Sequence, residues 1–199
     1  MPDRILSCSA ALAEALNEEM TRDPSVFIVG EDIKAHAGIF GQFKGIPEKF
    51  PDRIIDTPIS ESAIAGVGLG AALTGLRPVV DLHFSDFVTC CMDELVNQTA
   101  KIRFMLGGQV RVPLVVWCPD GAGLRAAAQH SQSLEAWFVH PPGLKVVVPS
   151  EPADVKGLIK AGALIEQAAP RVTPYPNLDP SLPGKVVAMV QADAAEILR

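Results

Sequence analysis

The stretch RIIDTPISESAIAGVGLGAALTGLRPVVDL, residues 53–82, decides the fold. RIIDT (53–57) is a short apolar run that reads as a strand. SESAIAGVGLGAALTG (60–75) reads as a helix of small residues closed by Gly75, and PVVDL (78–82) is a second strand. Two strands with a helix between them are the repeating unit of a parallel sheet.

The same alternation continues in both directions. Upstream, SVFIVG (25–30) is a buried strand. In SAALAEALNEEM (9–20), Leu12, Leu16 and Met20 recur at four-residue steps, one face of a helix. AHAGIFGQFKGIPEKFPDR (35–53) is rich in Gly, Pro and Phe and reads as a long loop, a feature often tied to function. Downstream, CCMDELVNQTAKIRFML (90–106) reads as a helix stopped by Gly107 and Gly108. VPLVVWC (112–118) is a strand, PDGAGLRAAAQHSQS (119–133) a loop and LEAWFVH (134–140) a short helix. LKVVVP (144–149) is a strand, and SEPADVKGLIKAGALIEQA (150–168) a helix with Ser150 as its N-cap and acids in its first turn. Continuous, β-branched strands imply burial on both faces. The expected fold is therefore α/β, a mainly parallel sheet with helices on both sides.

Composition changes near residue 168. APRVTPYPNLDPSLPG (169–184) holds five of the chain's 17 prolines and reads as an extended arm, because proline continues neither a helix nor a central strand. KVVAMVQADAAEILR (185–199) has an amphipathic helical pattern. The expected organisation is a main domain over 1–167, followed by an arm and a final helix over 168–199.

The chain carries a net charge of −6 and is 48% hydrophobic. An acidic chain without a basic cluster is a poor ligand for nucleic acid or an anionic membrane, and no apolar run is long enough to span a bilayer. The N-terminus lacks an apolar signal core, so the expected location is cytoplasmic, or a mitochondrial matrix if a presequence has been removed. Cys8, Cys90, Cys91 and Cys118 form no CxxC pair, which points to reduced thiols and away from structural zinc. No histidine spacing suggests a metal centre.

Three positions follow strands and so converge on one edge of a parallel sheet: Glu61, Phe87 and His130. Each also has a bland reading. An acid in the first turn of a helix offsets the dipole, with Thr57 or Ser60 as cap. Phe84 and Phe87 fit a core as well as a plate for a flat ring. His130 fits backbone hydrogen bonding as well as proton transfer. His83 reads as a strand-end packing group, and His36 and His140 as surface or loop residues. Gly66, Gly68 and Gly70 lie inside a helix and not in a phosphate-binding turn, so they read as close-packing positions.

The segments VGEDI (29–33), residues 38–87, DELVNQTAKIRFMLGG (93–108), AAAQHSQSLEAWFVHPPGLKVVVPS (126–150) and DVKGLIKA (154–161) together resemble the beta subunit of thiamine-diphosphate-dependent 2-oxo acid dehydrogenases. That group acts on pyruvate, branched-chain 2-oxo acids or acetoin. The resemblance covers roughly residues 10–161 and implies the transketolase-like pyrimidine-binding domain. It implies that Glu61 hydrogen-bonds a ring nitrogen of the aminopyrimidine. A protonated carboxyl there favours the imino tautomer that leads to the nucleophilic ylid, and burial should raise its pKa. It implies that Phe87 stacks on the aminopyrimidine, that Ile59 makes the adjacent backbone or apolar contact, and that His130 handles substrate and reductive acylation. The implied reaction is oxidative decarboxylation of a 2-oxo acid, pyruvate first, with acyl transfer to lipoyl groups.

The implied partners are an alpha subunit bearing the diphosphate and magnesium ligands, a second beta subunit and a lipoyl acyltransferase core. The family continues after the KGLIKA helix into a strand and a further domain. Here GALIEQAAP (162–170) stands instead, and 171–199 resembles the family's extreme C-terminus, as an internal deletion would leave it. A chain shortened in this way is expected to expose apolar surface. The alternatives are a non-catalytic module that binds the alpha subunit, an acetoin-cleaving subunit, or a split transketolase.

Overall fold

The computed structural model describes residues 5–164 and 185–191. Helix α1 (Cys8–Arg22) is capped by Ser7, whose hydroxyl accepts the Ala10 N–H at 3.0 Å. It leads into β1 (Val26–Gly30). The long loop that follows contains the short helix α2 (Ile46–Lys49) and a 3-10 turn, Pro51–Arg53. Then come β2 (Ile54–Asp56), α3 (Glu61–Leu73) and β3 (Arg77–Asp81), the expected crossover unit. Gly75, at φ 97°, ends α3. Further on lie α4 (Ile102–Met105), β4 (Val115–Asp120), α5 (Glu135–Val139), β5 (Leu144–Val147), α6 (Pro152–Leu164) and β6 (Lys185–Gln191).

Among the described residues the six strands are all parallel, in the order β2-β1-β3-β4-β6-β5. Alternate side chains enter two cores. Val26 and Ile28 join Leu12, Leu16 and Met20 of α1 and Val155 and Ile159 of α6 on one face. Phe27 and Val29 join Ile64, Ala65 and Leu69 of α3, with Leu95 and Phe138, on the other. Lys156 and Lys160 of α6 reach Glu18 of α1 at 2.6 and 2.7 Å, which pins the two helices together across the first face.

Three expectations need correction. Residues 185–191 form a strand and not the start of a helix: β6 lies between β4 and β5, pairing Val115–Asp120 with Val186–Gln191 and Leu144–Val147 with Lys185–Ala188. A short apolar run fits either period. The backbone groups of β4 and β5 require a partner, and three valines suit a pleated surface. The arm over 169–184 and the segment 192–199 lie outside the described residues.

The helix expected over 90–106 is broken into a 3-10 segment (Ser85–Cys91), a wide π segment (Asp93–Thr99) and α4. Gly143 offers a reason, because a Cβ there would overlap the Ala100 carbonyl. The turn before β5 thus presses on the helix where its winding changes. Finally, β4 runs two residues past Cys118, through Pro119 to Asp120, which leaves a shorter loop before α5.

Candidate active site

The chain leaves β1 toward β2 on one side and returns to β3 on the other, so the strand order switches between β1 and β3. Open parallel sheets bind ligands at the carboxyl ends of the strands beside such a switch. An acid stands at the end of each of the four strands in this region: Glu31 just after β1, Asp56 closing β2, Asp81 closing β3 and Asp120 closing β4.

Asp56 accepts backbone N–H groups from Ile33, Lys34 and Ala35 at 2.8, 2.7 and 3.3 Å, and so folds the loop after β1 over the sheet edge. Gly30 permits the next contact: a Cβ there would come within 2.9 Å of the Asp81 carbonyl oxygen. Asp81 is fully buried, and its Oδ2 lies 2.6 Å from His83 Nδ1. His83 is itself buried, sits at φ 60°, and points Nε2 to within 3.8 Å of Glu31 Oε1. The left-handed backbone turns the ring back into the sheet edge at a cost of about 1–2 kcal/mol. His83 is thus more than a packing group.

Burial pushes the Asp81 carboxyl up, against the bond from His83. Burial alone would pull His83 down, but its bond to Asp81 and the charges of Asp81, Glu31 and Asp32 carry it upward. Glu31 is raised by burial, with Glu61 and other acids adding to the effect.

Glu61 occupies the first turn of α3. Ser60 stands at the cap position, but its hydroxyl makes no capping bond, and Thr57 Oγ1 is buried without a partner, so neither expected cap is used. The next residue, Ser62, donates its hydroxyl to the Cys90 carbonyl at 2.7 Å, which ties the start of α3 to the segment carrying Phe87. Glu61 is half-buried, and Ile59, just before the helix, is 78% exposed.

Phe87 and His130 meet directly, with ring centroids 5.2 Å apart and edge-on. Phe84 touches both, at 5.6 and 4.8 Å, and Phe40 of the long loop packs on Phe84 at 5.5 Å. The histidine thus lies in an aromatic nest, one side of which is open, since Phe87 and His130 are both only half-buried.

The loop carrying His130 is held by polar contacts that periodicity does not reveal. Gln132 donates its backbone N–H and its Nε2 to Asp86 Oδ1 at 3.3 and 2.7 Å. Its carbonyl accepts the Gly121 N–H at 3.0 Å, and Ser85 Oγ approaches both that carbonyl, at 3.1 Å, and Asp120 Oδ1, at 2.7 Å. The only sequence signal for Glu31, Asp81, Asp86 and Asp120 is that each acid directly follows or closely trails an apolar run. His36 and His140 are exposed and take no part. Cys91 and Cys118 are buried in the core, and burial drives both thiols upward, Cys91 to about 12, so neither is a ready nucleophile.

A model of the family described as "Transketolase, pyrimidine binding domain" matches residues 5–176. The beta subunit of acetoin:2,6-dichlorophenolindophenol oxidoreductase from Cupriavidus necator is 50% identical over 166 residues, covering 78% of this chain and 49% of that protein. The 2-oxoisovalerate dehydrogenase beta subunit of Bacillus subtilis is 45% identical over 158 residues, covering 79% and 48%. A mitochondrial pyruvate dehydrogenase E1 beta-1 subunit of Oryza sativa is 46% identical over 152 residues, covering 76% and 41%. The chain spans about half the length of the curated relatives it matches. Among solved structures, a split-gene transketolase in an inactive beta4 tetramer superposes with a TM-score of 0.69 over 95% of this chain and 52% of that one. At 16% identity it shares the fold.

Proposed function

The chain belongs to the transketolase pyrimidine-binding domain family, and on that premise we propose that it supplies the aminopyrimidine half of a thiamine diphosphate site, as the beta-type subunit of a 2-oxo acid dehydrogenase. The observation that carries this reading is the convergence at the switch point. An acid in the first turn of α3 is tied through Ser62 to the segment bearing Phe87, and Phe87 meets His130 at 5.2 Å. An acid, an aromatic face, an apolar side chain and an imidazole are the donor set that a flat ring with hydrogen-bonding nitrogens requires.

Thiamine diphosphate, when bound, supplies the thiazolium carbon that attacks the substrate carbonyl. Glu61 would hydrogen-bond a pyrimidine ring nitrogen, Phe87 would offer its ring face, and Ile59 would cover the pyrimidine edge. His130 can take or give a proton at a ring nitrogen, beside the reacting groups. Glu61 is only half-buried in the chain alone, and an alpha-type subunit closing over it would complete the burial of the site. That partner would bear the diphosphate and magnesium ligands, and a second beta subunit and a lipoyl acyltransferase core would complete the assembly. The names of the relatives place pyruvate, 2-oxoisovalerate and acetoin among the substrates to assay.

Co-expression with a matching alpha subunit tests the proposal, with each of those substrates assayed with and without thiamine diphosphate. Cofactor-dependent turnover should fall by roughly 10²-fold or more in both Glu61→Gln and His130→Ala. A second reading is a non-catalytic module that binds the alpha subunit. Assembly without turnover, unaffected by Glu61→Ala, would establish that reading and exclude the first.

A further inference from the structure

The long loop between β1 and β2 buries the side chain of Gln42, which is 1% exposed. A buried primary amide must find partners for both of its ends. Gln42 Oε1 accepts the Phe40 N–H at 2.9 Å. Its Nε2 lies 3.5 Å from Asp81 Oδ2, the same oxygen that stands 2.6 Å from His83 Nδ1. The Phe40 N–H can use only the amide oxygen, which leaves the nitrogen for Asp81, so the amide has one orientation. Gly38, at φ 79°, makes room for it, since a Cβ there would come within 2.4 Å of the Gln42 amide carbon. The turn around it is closed by the Gly41 N–H on the Gly38 carbonyl at 3.1 Å and the Phe43 N–H on the Ala37 carbonyl at 2.9 Å.

Phe40 is the residue this amide holds. Its ring packs edge-on against Phe84 at 5.5 Å, and Phe84 packs edge-on against His130 at 4.8 Å. We infer that Gln42 is a positioning residue for His130: anchored on Asp81 at the end of β3, its amide fixes the Phe40 backbone and so sets the Phe40 ring as the backing of Phe84 in the aromatic nest.

Edge-on ring contacts are individually weak and depend on distance and angle. Phe40 and Phe84 are both only half-buried, so surrounding core does not by itself fix their rings. A backbone N–H bonded to a fully buried side chain gives Phe40 a firmer seat than the loop's turns alone. A residue that merely filled the core would need neither of these two bonds, nor a glycine opposite its amide. The series therefore links the buried carboxyl of β3, through the loop after β1, to the histidine after β4.

That His130 serves the site rests on the function proposed above. The role of Gln42 is tested on the full chain alone, without cofactor or alpha subunit, so the two fail separately. The readouts are the ring-proton NMR shifts of His130, which sense the neighbouring aromatic rings, and hydrogen exchange at the Phe40 amide. Gln42→Leu keeps most of the buried volume and removes both bonds. It should speed exchange at Phe40 roughly fivefold. It should also move the His130 signals in the same direction as Phe40→Leu, which removes the backing ring. The double variant should move them no further than Phe40→Leu alone, because both changes act through one ring. A loss of stability in Gln42→Leu with the His130 signals and Phe40 exchange unmoved would leave Gln42 as core filler and overturn the inference, as would additive shifts in the double variant. The unaltered protein supplies a check that serves if Gln42→Leu folds poorly. Its Phe40 amide should exchange about tenfold or more slowly than a free amide of the same local sequence. Exchange at the free rate overturns the inference.

Discussion

His83 sits where a buried carboxyl, a strained backbone and an acid of the neighbouring strand meet. Removing its ring leaves Asp81 buried without its strongest partner. His83→Ala should therefore destabilise the chain by about 3–5 kcal/mol in urea unfolding, a cost set by the stranded carboxyl more than by lost packing. His83→Gln keeps a donor for Asp81 and should cost less. His83 has a raised pKa in the folded state, so its contribution is fully present below about pH 6.5 and fades as pH rises through the folded value. The gap between the unaltered protein and His83→Ala should narrow accordingly. Sequence placed this histidine at a strand end and stopped there. Its contact with Asp81 is local, two residues away, but the inward turn depends on φ 60° and on a glycine, Gly30, in the neighbouring strand.

Helix α3 shows what its glycines are for. A Cβ at Gly68 would overlap Val80 Cγ2 and come within 3.1 Å of Leu114, whereas one at Gly66 or Gly70 meets nothing within 4 Å. The close-packing reading thus holds for one of the three. Gly68→Ala should destabilise by about 1–3 kcal/mol through overpacking against β3. Gly70→Ala should stabilise by about 0.5–1 kcal/mol by restricting the unfolded chain and improving helix propensity. Thermal unfolding of the two single variants checks both signs. Most elements were legible because each buries a face whose period the sequence displays. The broken helix over 85–105 and strand β6 were not, since the first depends on Gly143 pressing on Ala100 and the second on unpaired backbone in distant strands.

For the whole molecule, the proposed site is an open surface. Ile59 is 78% exposed, and Phe104 and Met105 on α4 are exposed by 75% and 67%. A substitution at Ile59 should therefore leave the isolated chain alone and act only where a second surface arrives. Ile59→Asp should change unfolding free energy by no more than about 0.5 kcal/mol. It should weaken cofactor-dependent association with an alpha-type partner, measured by titration of the two chains with and without thiamine diphosphate. A large loss of stability in the chain alone would instead assign Ile59 to the fold.

The alternation of apolar strands and helices, the acid at the head of α3, and the aromatic and histidine after later strands were all in the order of residues. Local periodicity and strand-end position need no knowledge of distant contacts. The tertiary structure decided the rest. It set Phe87 against His130 and paired Asp81 with His83 beneath Glu31. It tied Gln132 to Asp86 beside His130, and it drew residues 185–191 into the sheet as a strand. Most of these arrangements join groups far apart in the chain, and all turn on hydrogen bonds and charges whose strength comes from burial, which only the packed fold creates. Glu61 lies between the two accounts. Its place in the first turn of a helix was readable, while its neighbours, Glu31 and the segment carrying Phe87, came only with the fold.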